Sequence, residues 1–370
     1  MSWPRVDYGH TAYDKAMIAG DVYGVRPDPK RAGKRPLDVA IAGCGGVAQA
    51  KWLPALRYLQ TRCEPVAIAG LVDVDQASRD KVGALYAAPV FPTLEALLAA
   101  KRPDLVLVLT SDNAHVPVAR ISIDAGIPVL VEKPLARSLA EARVLCALAE
   151  RRGVLIASVA NKRFSPPYAL AHALVTGGRL KSPPSLFSGK FTLGYPYVDI
   201  LEAGTIHLID LMLWFMGPAT AVSALGRFGP EGKLASAVAS IAFASGAIGS
   251  VVTSADAMSF KPWERVEIVG RHAMLVVEDQ LELVLHDEET GPSKLWRPAI
   301  PNTLLFDESF GGYAGLLENV LDAIRGTTAL AATGRDGMAA VALVEAIHRS
   351  VASRQTVTLD EAPLRDGERA

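Results

Sequence analysis

The sequence predicts an α/β domain built on a doubly wound parallel sheet, followed by an α+β domain with a largely antiparallel open sheet. From Pro36 to Val159, short runs that are apolar throughout alternate with amphipathic stretches, the pattern of parallel strands covered by helices on both faces. Beyond that point strand-like segments follow one another through short turns such as ASGA and GRHA, which favours antiparallel pairing. A chain of 370 residues, 50% of them hydrophobic, also exceeds one ordinary core and can fill two.

Residues 1–35 read as an N-terminal arm and linker. Trp3, Tyr8, Tyr13 and Tyr23 are scattered without periodicity, and the Pro-rich basic stretch RPDPKRAGKRP follows. The plain expectation is a loosely packed extension; the alternative is an arm whose aromatics dock on a neighbouring subunit.

The first domain spans 36–159. Its expected strands are Leu37 to Ala42, Val66 to Val72, Leu105 to Leu109, Pro128 to Val131 and Val154 to Val159. Helices are expected at Val47 to Leu59, Gln76 to Leu85, Thr93 to Ala100, Val116 to Ala125 and Ser138 to Arg151. The second domain spans 160–370, with helices at Pro167 to Val175, His207 to Met216, Gly315 to Arg325 and Gly337 to Ser353. Its strands are expected at Ala221 to Arg227, Ala237 to Phe243, Ala247 to Thr253, Val266 to Val269, Ala273 to Val277 and Leu281 to Leu285.

Charge narrows the function. Thirty-eight basic residues against 39 acidic ones give no field for nucleic acid or an anionic membrane, so a small-molecule partner is expected. Cys44, Cys63 and Cys146 are odd in number and widely spaced, which fits neither a disulfide framework nor a metal site. The first residues lack a basic segment followed by an apolar run, and no later run is long enough to cross a bilayer. A cytoplasmic protein is the expectation.

The first strand runs into Gly43-Cys44-Gly45-Gly46-Val47-Ala48, which satisfies G-x-G-x-x-[GA] and opens a helix. Gly43 permits the tight turn, Gly45 lets backbone approach a pyrophosphate, and Gly46 and Val47 lead into a helix N-terminus that favours anions. Ala48 allows the helix to pack closely on the strand. The second strand ends in Asp73, placed to accept from ribose hydroxyls, although its distance from the loop exceeds the usual spacing of about 20 residues. This is the signature of a Rossmann dinucleotide site. Asp73-Val74-Asp75 offers no cation to a 2′-phosphate, so NAD is favoured over NADP, with Arg79 the residue that could reverse the preference.

The segment VLVEKPLA, with Glu132-Lys133-Pro134 at a strand end, joins the glycine loop in a pattern that resembles the glucose–fructose oxidoreductase and inositol dehydrogenase (Gfo/Idh/MocA) family. Further matching pieces follow in order: Thr110-Ser111-Asp112-Asn113-Ala114-His115, Asn161-Lys162-Arg163-Phe164, and His207-Leu208-Ile209-Asp210 with Trp214 and Gly217. The resemblance implies that Glu132-Lys133-Pro134 lies beside a nicotinamide, that Pro134 follows a cis peptide, and that Lys133 reaches the reacting oxygen. It implies too that Thr110, Asn113 and His115 line the cofactor, with Arg163 reaching cofactor or substrate, and that His207 exchanges the substrate proton from the second domain. A helix cap at His115 and a surface ion pair at Arg163 are the competing structural readings.

One departure stands out. Relatives often carry D-x-G-x-H, whereas here Ala203 occupies the position four before His207, with Glu202 adjacent and Gly204 offset by one. The carboxylate that orients the imidazole is therefore missing, or supplied by Glu202 after a local shift, or by Asp210. The expected activity is hydride transfer between nicotinamide C4 and a carbonyl or hydroxyl carbon of a sugar, polyol or related molecule. Lys133 and His207 handle the proton, and no metal is required. A catalytically silent dinucleotide sensor and an NAD-dependent glycoside-cleaving enzyme are the alternatives. The resemblance also implies a homodimer or homotetramer formed through the open sheet, and a substrate pocket built partly from Gly194-Tyr195-Pro196-Tyr197.

Overall fold

The computed structural model describes residues 27–195, 198–229, 231–257, 262–297 and 310–359. Trp3, Tyr8, Tyr13 and Tyr23 of the arm, and Pro196 and Tyr197 of the expected substrate loop, lie outside the described residues. The chain divides into two compact units, residues 1–161 with 300–334 and residues 162–299 with 335–370. Helices run in chain order as α1 (Leu53–Thr61), α2 (Gln76–Tyr86), α3 (Leu94–Ala100), α4 (Asp112–Asp124), α5 (Leu139–Arg152), α6 (Pro166–Thr176), α7 (Ile206–Met216), α8 (Tyr313–Ile324) and α9 (Gly334–Ser353). Among the described residues no helix is long and apolar enough to cross a membrane.

In the first unit β1 (Leu37–Ala42), β2 (Val66–Val72), β3 (Val90–Phe91), β4 (Leu105–Val108), β5 (Val129–Val131) and β6 (Ile156–Ser158) form one sheet, ordered β3-β2-β1-β4-β5-β6. Every pairing is parallel. The LVLV run of β4 is buried along its whole length, because helices cover both faces and neither set of alternating side chains meets water. Strand order reverses between β1 and β4, which opens a crevice at their carboxyl ends. Helix starts follow the caps: Asp75, Thr93 and Ser138 accept from the N–H groups of Ser78, Ala96 and Glu141 at 2.8, 3.2 and 3.2 Å. Helix α4 begins at Asp112 rather than Val116, since the polar Ser-Asp-Asn run forms the cap and first turn where apolar periodicity is silent.

The unit boundary differs from the expected one. Helix α8 belongs to the first unit, where Tyr313 meets Trp52 edge-on at 5.3 Å. Its clamp is the basic stretch that reads as a loose linker. Glu64, with no side-chain exposure, faces Arg31 at 3.4 Å, Lys34 at 3.3 Å and Arg325 at 2.6 Å. Lys34 and Arg325 each also reach Asp322 at 2.9 Å, and Arg31 donates to Glu318 at 3.0 Å. The stretch is therefore held at Arg31 and Lys34, whose cations are counter-charges of α8.

The second unit holds one sheet of β7 (Leu186–Thr192), β8 (Ala219–Phe228), β9 (Leu234–Phe243), β10 (Ile248–Ser254), β11 (Trp263–Val269), β12 (Met274–Glu278), β13 (Glu282–His286), β14 (Lys294–Trp296) and β15 (Val357–Thr358). The order is β14-β13-β12-β11-β7-β10-β9-β8-β15, antiparallel except where β7 pairs with β10. Sequence periodicity misses β7, the strand near its centre, because LFSGKFT carries a serine and a glycine that read as a turn. Gly189 is there because α7 lies directly on it: a Cβ would stand 3.0 Å from Leu208 Cδ2. Phe187 and Phe191 of β7 join Leu208, Met212 and Leu343 in a core on this face. On the other face Leu225, Val238 and Val252 are exposed and lie in register across β8, β9 and β10.

The Glu64 cluster yields a stability test. Glu64→Ala leaves Arg325 buried without its nearest carboxylate and should lower stability by about 3 kcal/mol. Arg35→Ala, which breaks an exposed pair with Asp104, should cost less than about 1 kcal/mol in the same urea titration.

Candidate active site

The glycine loop sits at the carboxyl end of β1. Gly43 has φ +104°, and a Cβ on it would fall 2.5 Å from the Leu109 carbonyl carbon, so no other residue fits between β1 and the end of β4. At Gly45 a Cβ would meet nothing within 4 Å, which leaves that backbone open to a ligand. Gly46 and Val47 are helical and lead into a π-helical turn, Ala48–Trp52, ahead of α1. Asp73 turns its carboxylate back onto the loop, where Oδ2 accepts from the Cys44 N–H at 2.7 Å and Oδ1 from the Asp75 N–H at 2.9 Å. Arg79 donates to the carbonyl oxygens of Asp73 and Val74 at 3.2 and 3.4 Å. Burial, reinforced by the charge of Asp73, pushes the Cys44 thiol up to about 12, so it stays protonated.

A cavity of about 310 Å³ opens here, lined by Gly43, Gly45, Asp73, Val74, Thr110 and Val118. Val74 is 90% exposed beside it. The Thr110 hydroxyl oxygen is buried and has no hydrogen-bond partner. An orphan hydroxyl, an open glycine backbone, a helix N-terminus and a fixed carboxylate together fit a dinucleotide: anion at the loop, ribose at Asp73.

At the end of β5, Glu132 is buried and fully engaged. Its Oε1 accepts from Trp52 Nε1 at 2.8 Å and its Oε2 from the Lys133 N–H at 2.8 Å. Trp52 closes the π turn that follows the glycine loop, so one carboxylate ties that turn to the backbone of Lys133. The Lys133–Pro134 peptide is cis, as expected. His115 is 1% exposed, with Nδ1 2.8 Å from the Pro134 carbonyl oxygen and Nε2 3.1 Å from that of Thr110. It braces the strand-end segments of β4 and β5 rather than forming an open wall. Asn113 accepts from the Ser111 hydroxyl at 2.7 Å through its side-chain oxygen.

In the second unit His207 is the second residue of α7 and is half-buried. Asp210, one turn on, gives both oxygens to Arg163: Nε donates to Oδ2 at 2.9 Å and Nη2 to Oδ1 at 2.6 Å. Arg163 Nη2 also reaches Asp336 Oδ1 at 3.1 Å. Burial works against the guanidinium charge, but the two carboxylates prevail and hold Arg163 protonated. The sequence reading sends Arg163 to cofactor or substrate; here it anchors α7 and α9, with its plane 5.6 Å from the Trp214 ring. His172 stacks on Trp214 at 3.8 Å. The preceding cation, Lys162, is buried against Glu264, which also accepts from the Tyr168 hydroxyl at 2.8 Å. Burial pushes the Lys162 ammonium down, to about 7.

The one-residue offset before His207 has a structural cause. Leu201–Thr205 is a π-helical turn, in which the Ile206 N–H reaches the Leu201 carbonyl, five residues back. A turn closed this way houses one extra residue, so the side chain five back stands where the fourth does in an α-helix. Glu202 is the fifth residue before His207 and is exposed. Gly204 passes so close to Phe191 that a Cβ would lie 2.3 Å from its ring.

Residues 37–160 match the model of the Gfo/Idh/MocA oxidoreductase family's NAD-binding Rossmann fold, and residues 200–359 that of its C-terminal alpha/beta domain. The chain belongs to the Gfo/Idh/MocA family. It is an NAD-binding oxidoreductase of the dehydrogenase kind. D-apiose dehydrogenase of Paraburkholderia graminis is 25% identical over 342 residues, covering 86% of this chain and 89% of that one. Inositol 2-dehydrogenase of Rhizobium meliloti is 23% identical over 311 residues, covering 79% and 91%. Among solved structures, GenD2 from gentamicin A biosynthesis, in complex with NAD, superposes with TM-score 0.74 at 26% identity, covering 88% of this chain and 97% of GenD2. Levoglucosan dehydrogenase, with NADH and levoglucosan, shares the fold at TM-score 0.79 and 17% identity, covering 88% and 100%.

Trp52 and Asp336 escape sequence reasoning, since neither belongs to a motif and their partners are remote in the chain. Replacing Gly43 by alanine forces the Leu109–Thr110 backbone aside, and calorimetry should show NAD binding weakened by roughly tenfold to a hundredfold.

Proposed function

We propose that this chain is an NAD-dependent dehydrogenase of a sugar, polyol or similar small hydroxyl compound. The observation that carries the reading is the junction of three strand ends: the glycine turn after β1, Asp73 after β2 and Lys133 after β5. They are joined by the Asp73–Cys44 and Trp52–Glu132 hydrogen bonds. The names of its relatives, D-apiose and inositol dehydrogenases, support the substrate class.

A bound nicotinamide supplies or accepts hydride at its C4. Gly45 and the start of the following helix hold the diphosphate, Asp73 holds the adenosine ribose, and the Thr110 hydroxyl gains a partner on the ribose side. Lys133 moves the proton at the reacting oxygen through Nζ, with its backbone held by Glu132. His207 is the second unit's own proton-handling group, and Glu202, in the π turn that precedes it, orients its imidazole and stabilises the charged form. Asp210, one turn after His207 on the same helix, is itself held by Arg163 through both oxygens. NAD is preferred over NADP because the Asp73 carboxylate, fixed on the glycine loop, would repel a 2′-phosphate, and Arg79 is engaged by backbone carbonyls. Leu225, Val238 and Val252 on the open face of the second sheet support a homodimer or homotetramer formed there.

With myo-inositol, D-apiose and related sugars tried in turn with NAD, Lys133→Met should reduce kcat by about 10²- to 10⁴-fold while NAD affinity is kept. No oxidation of any member of the panel by the parent protein would remove this reading. Asp73→Ser should weaken NAD by about tenfold and narrow the gap to NADP, whereas an unchanged preference would displace Asp73 from its role.

A further inference from the structure

The turn that carries Glu202 into His207 is pinned at both ends, and the pin at its start is built from residues that no motif includes. Asp199 lies just ahead of it. Asp199 Oδ1 accepts from the N–H groups of Leu201 at 3.0 Å and Glu202 at 3.4 Å, and Oδ2 accepts from the Leu234 N–H at the start of β9, at 3.2 Å. The Asp199 backbone carbonyl accepts from Ala203 at 2.9 Å. At the far end the Thr205 hydroxyl meets that of Thr253 on β10 at 2.6 Å. Against Asp199 stands His348 of α9, its Nε2 3.4 Å from Oδ1, an ion-pair contact rather than an aligned hydrogen bond.

We propose that Asp199 and His348 form a clasp that fixes the π turn, and so act as positioning residues for Glu202 and His207. The argument is one of shared geometry. A single carboxylate caps the turn, joins it to β9 and meets a histidine from α9, so three elements set where the turn begins. The charges that raise the half-buried histidine are three acids: Asp199 ahead of the turn, Glu202 within it and Glu345 on its own helix. Burial lowers the imidazole's proton affinity, but contact with Asp199 and the charges of Asp199, Glu202 and Glu345 outweigh it and raise His348 above its ordinary value. Burial raises Asp199, yet its contact with His348 and the backbone N–H groups it accepts from hold it below the usual carboxylate range.

The sign follows from these directions. The contribution of His348 is complete below the ordinary histidine value of about 6.5 and is lost as pH rises through its raised value. That of Asp199 is present above the ordinary carboxylate range and is lost only as pH falls through its depressed value. The clasp is therefore closed from mildly acid to neutral pH and opens on the alkaline side.

This inference takes from the proposed function the roles of Glu202 and His207, so its test is chosen to stand without turnover. Amide hydrogen exchange at Leu201 and Glu202 is followed in the full chain at about pH 6 and about pH 9, corrected for intrinsic rates. His348→Gln should cut protection at these amides by about tenfold at the lower pH, the scale of one lost charge-assisted contact. The parent should approach that level at the higher pH. His348→Lys, which stays charged throughout, should retain protection at both. Equal protection in the parent and His348→Gln, or a parent with no alkaline loss, would overturn the clasp. If the polyol panel gives activity, His348→Gln should also lower kcat with KM for NAD unchanged. If the panel gives none, the dehydrogenase reading fails and exchange alone decides the clasp.

Discussion

A buried guanidinium tolerates the protein interior only if its charge is matched, and the second unit is arranged around that requirement at Arg163. Asp210 from α7 and Asp336 from α9 supply the match, with Trp214 against the guanidinium plane. Both carboxylates meet the one guanidinium, so the positions of both helices are tied to one side chain. Helix α7 carries His207 one turn before Asp210, and α9 carries His348. The placement of the α7 face that carries His207 thus descends from a buried ion pair.

The first unit solves the same problem of precision with hydrogen bonds instead of a charge cluster. Glu132 spends both oxygens on holding Trp52 and the Lys133 backbone, and Asp73 spends both on the loop around it. These carboxylates tie the glycine loop to Asp73 and the π turn to the Lys133 backbone. His115 adds a brace between the ends of β4 and β5. Glu132, Asp73 and His115, all within the motifs, thus also build the frame of the site. Lys133 and the open side of Gly45 are what that frame exposes.

Much of the fold is legible from local pattern. The two leading strands, β1 and β2, fall on the residues that apolar runs predict, because a strand buried on both faces has no polar positions to blur its limits. The glycine loop is legible because a turn against the end of β4 admits no Cβ at residue 43. Strand β7 is not, since its glycine answers to Leu208, a contact made by a helix nearly twenty residues away. The basic stretch before β1 reads as a linker because its partners, Glu318 and Asp322, lie almost three hundred residues later.

The sequence by itself determined the fold class, the dinucleotide loop, the acid at the end of β2 and the lysine at the end of β5. These depend on the spacing of apolar and small residues along short segments. Tertiary structure alone decided that Arg163 anchors a helix, that α8 closes the first unit, and that the turn entering His207 is π-helical. An inserted residue can loop out, shift the helix or widen one turn. Only the close fit of Gly204 on Phe191, with Asp199 and Thr253 holding the two ends, selects the widened turn.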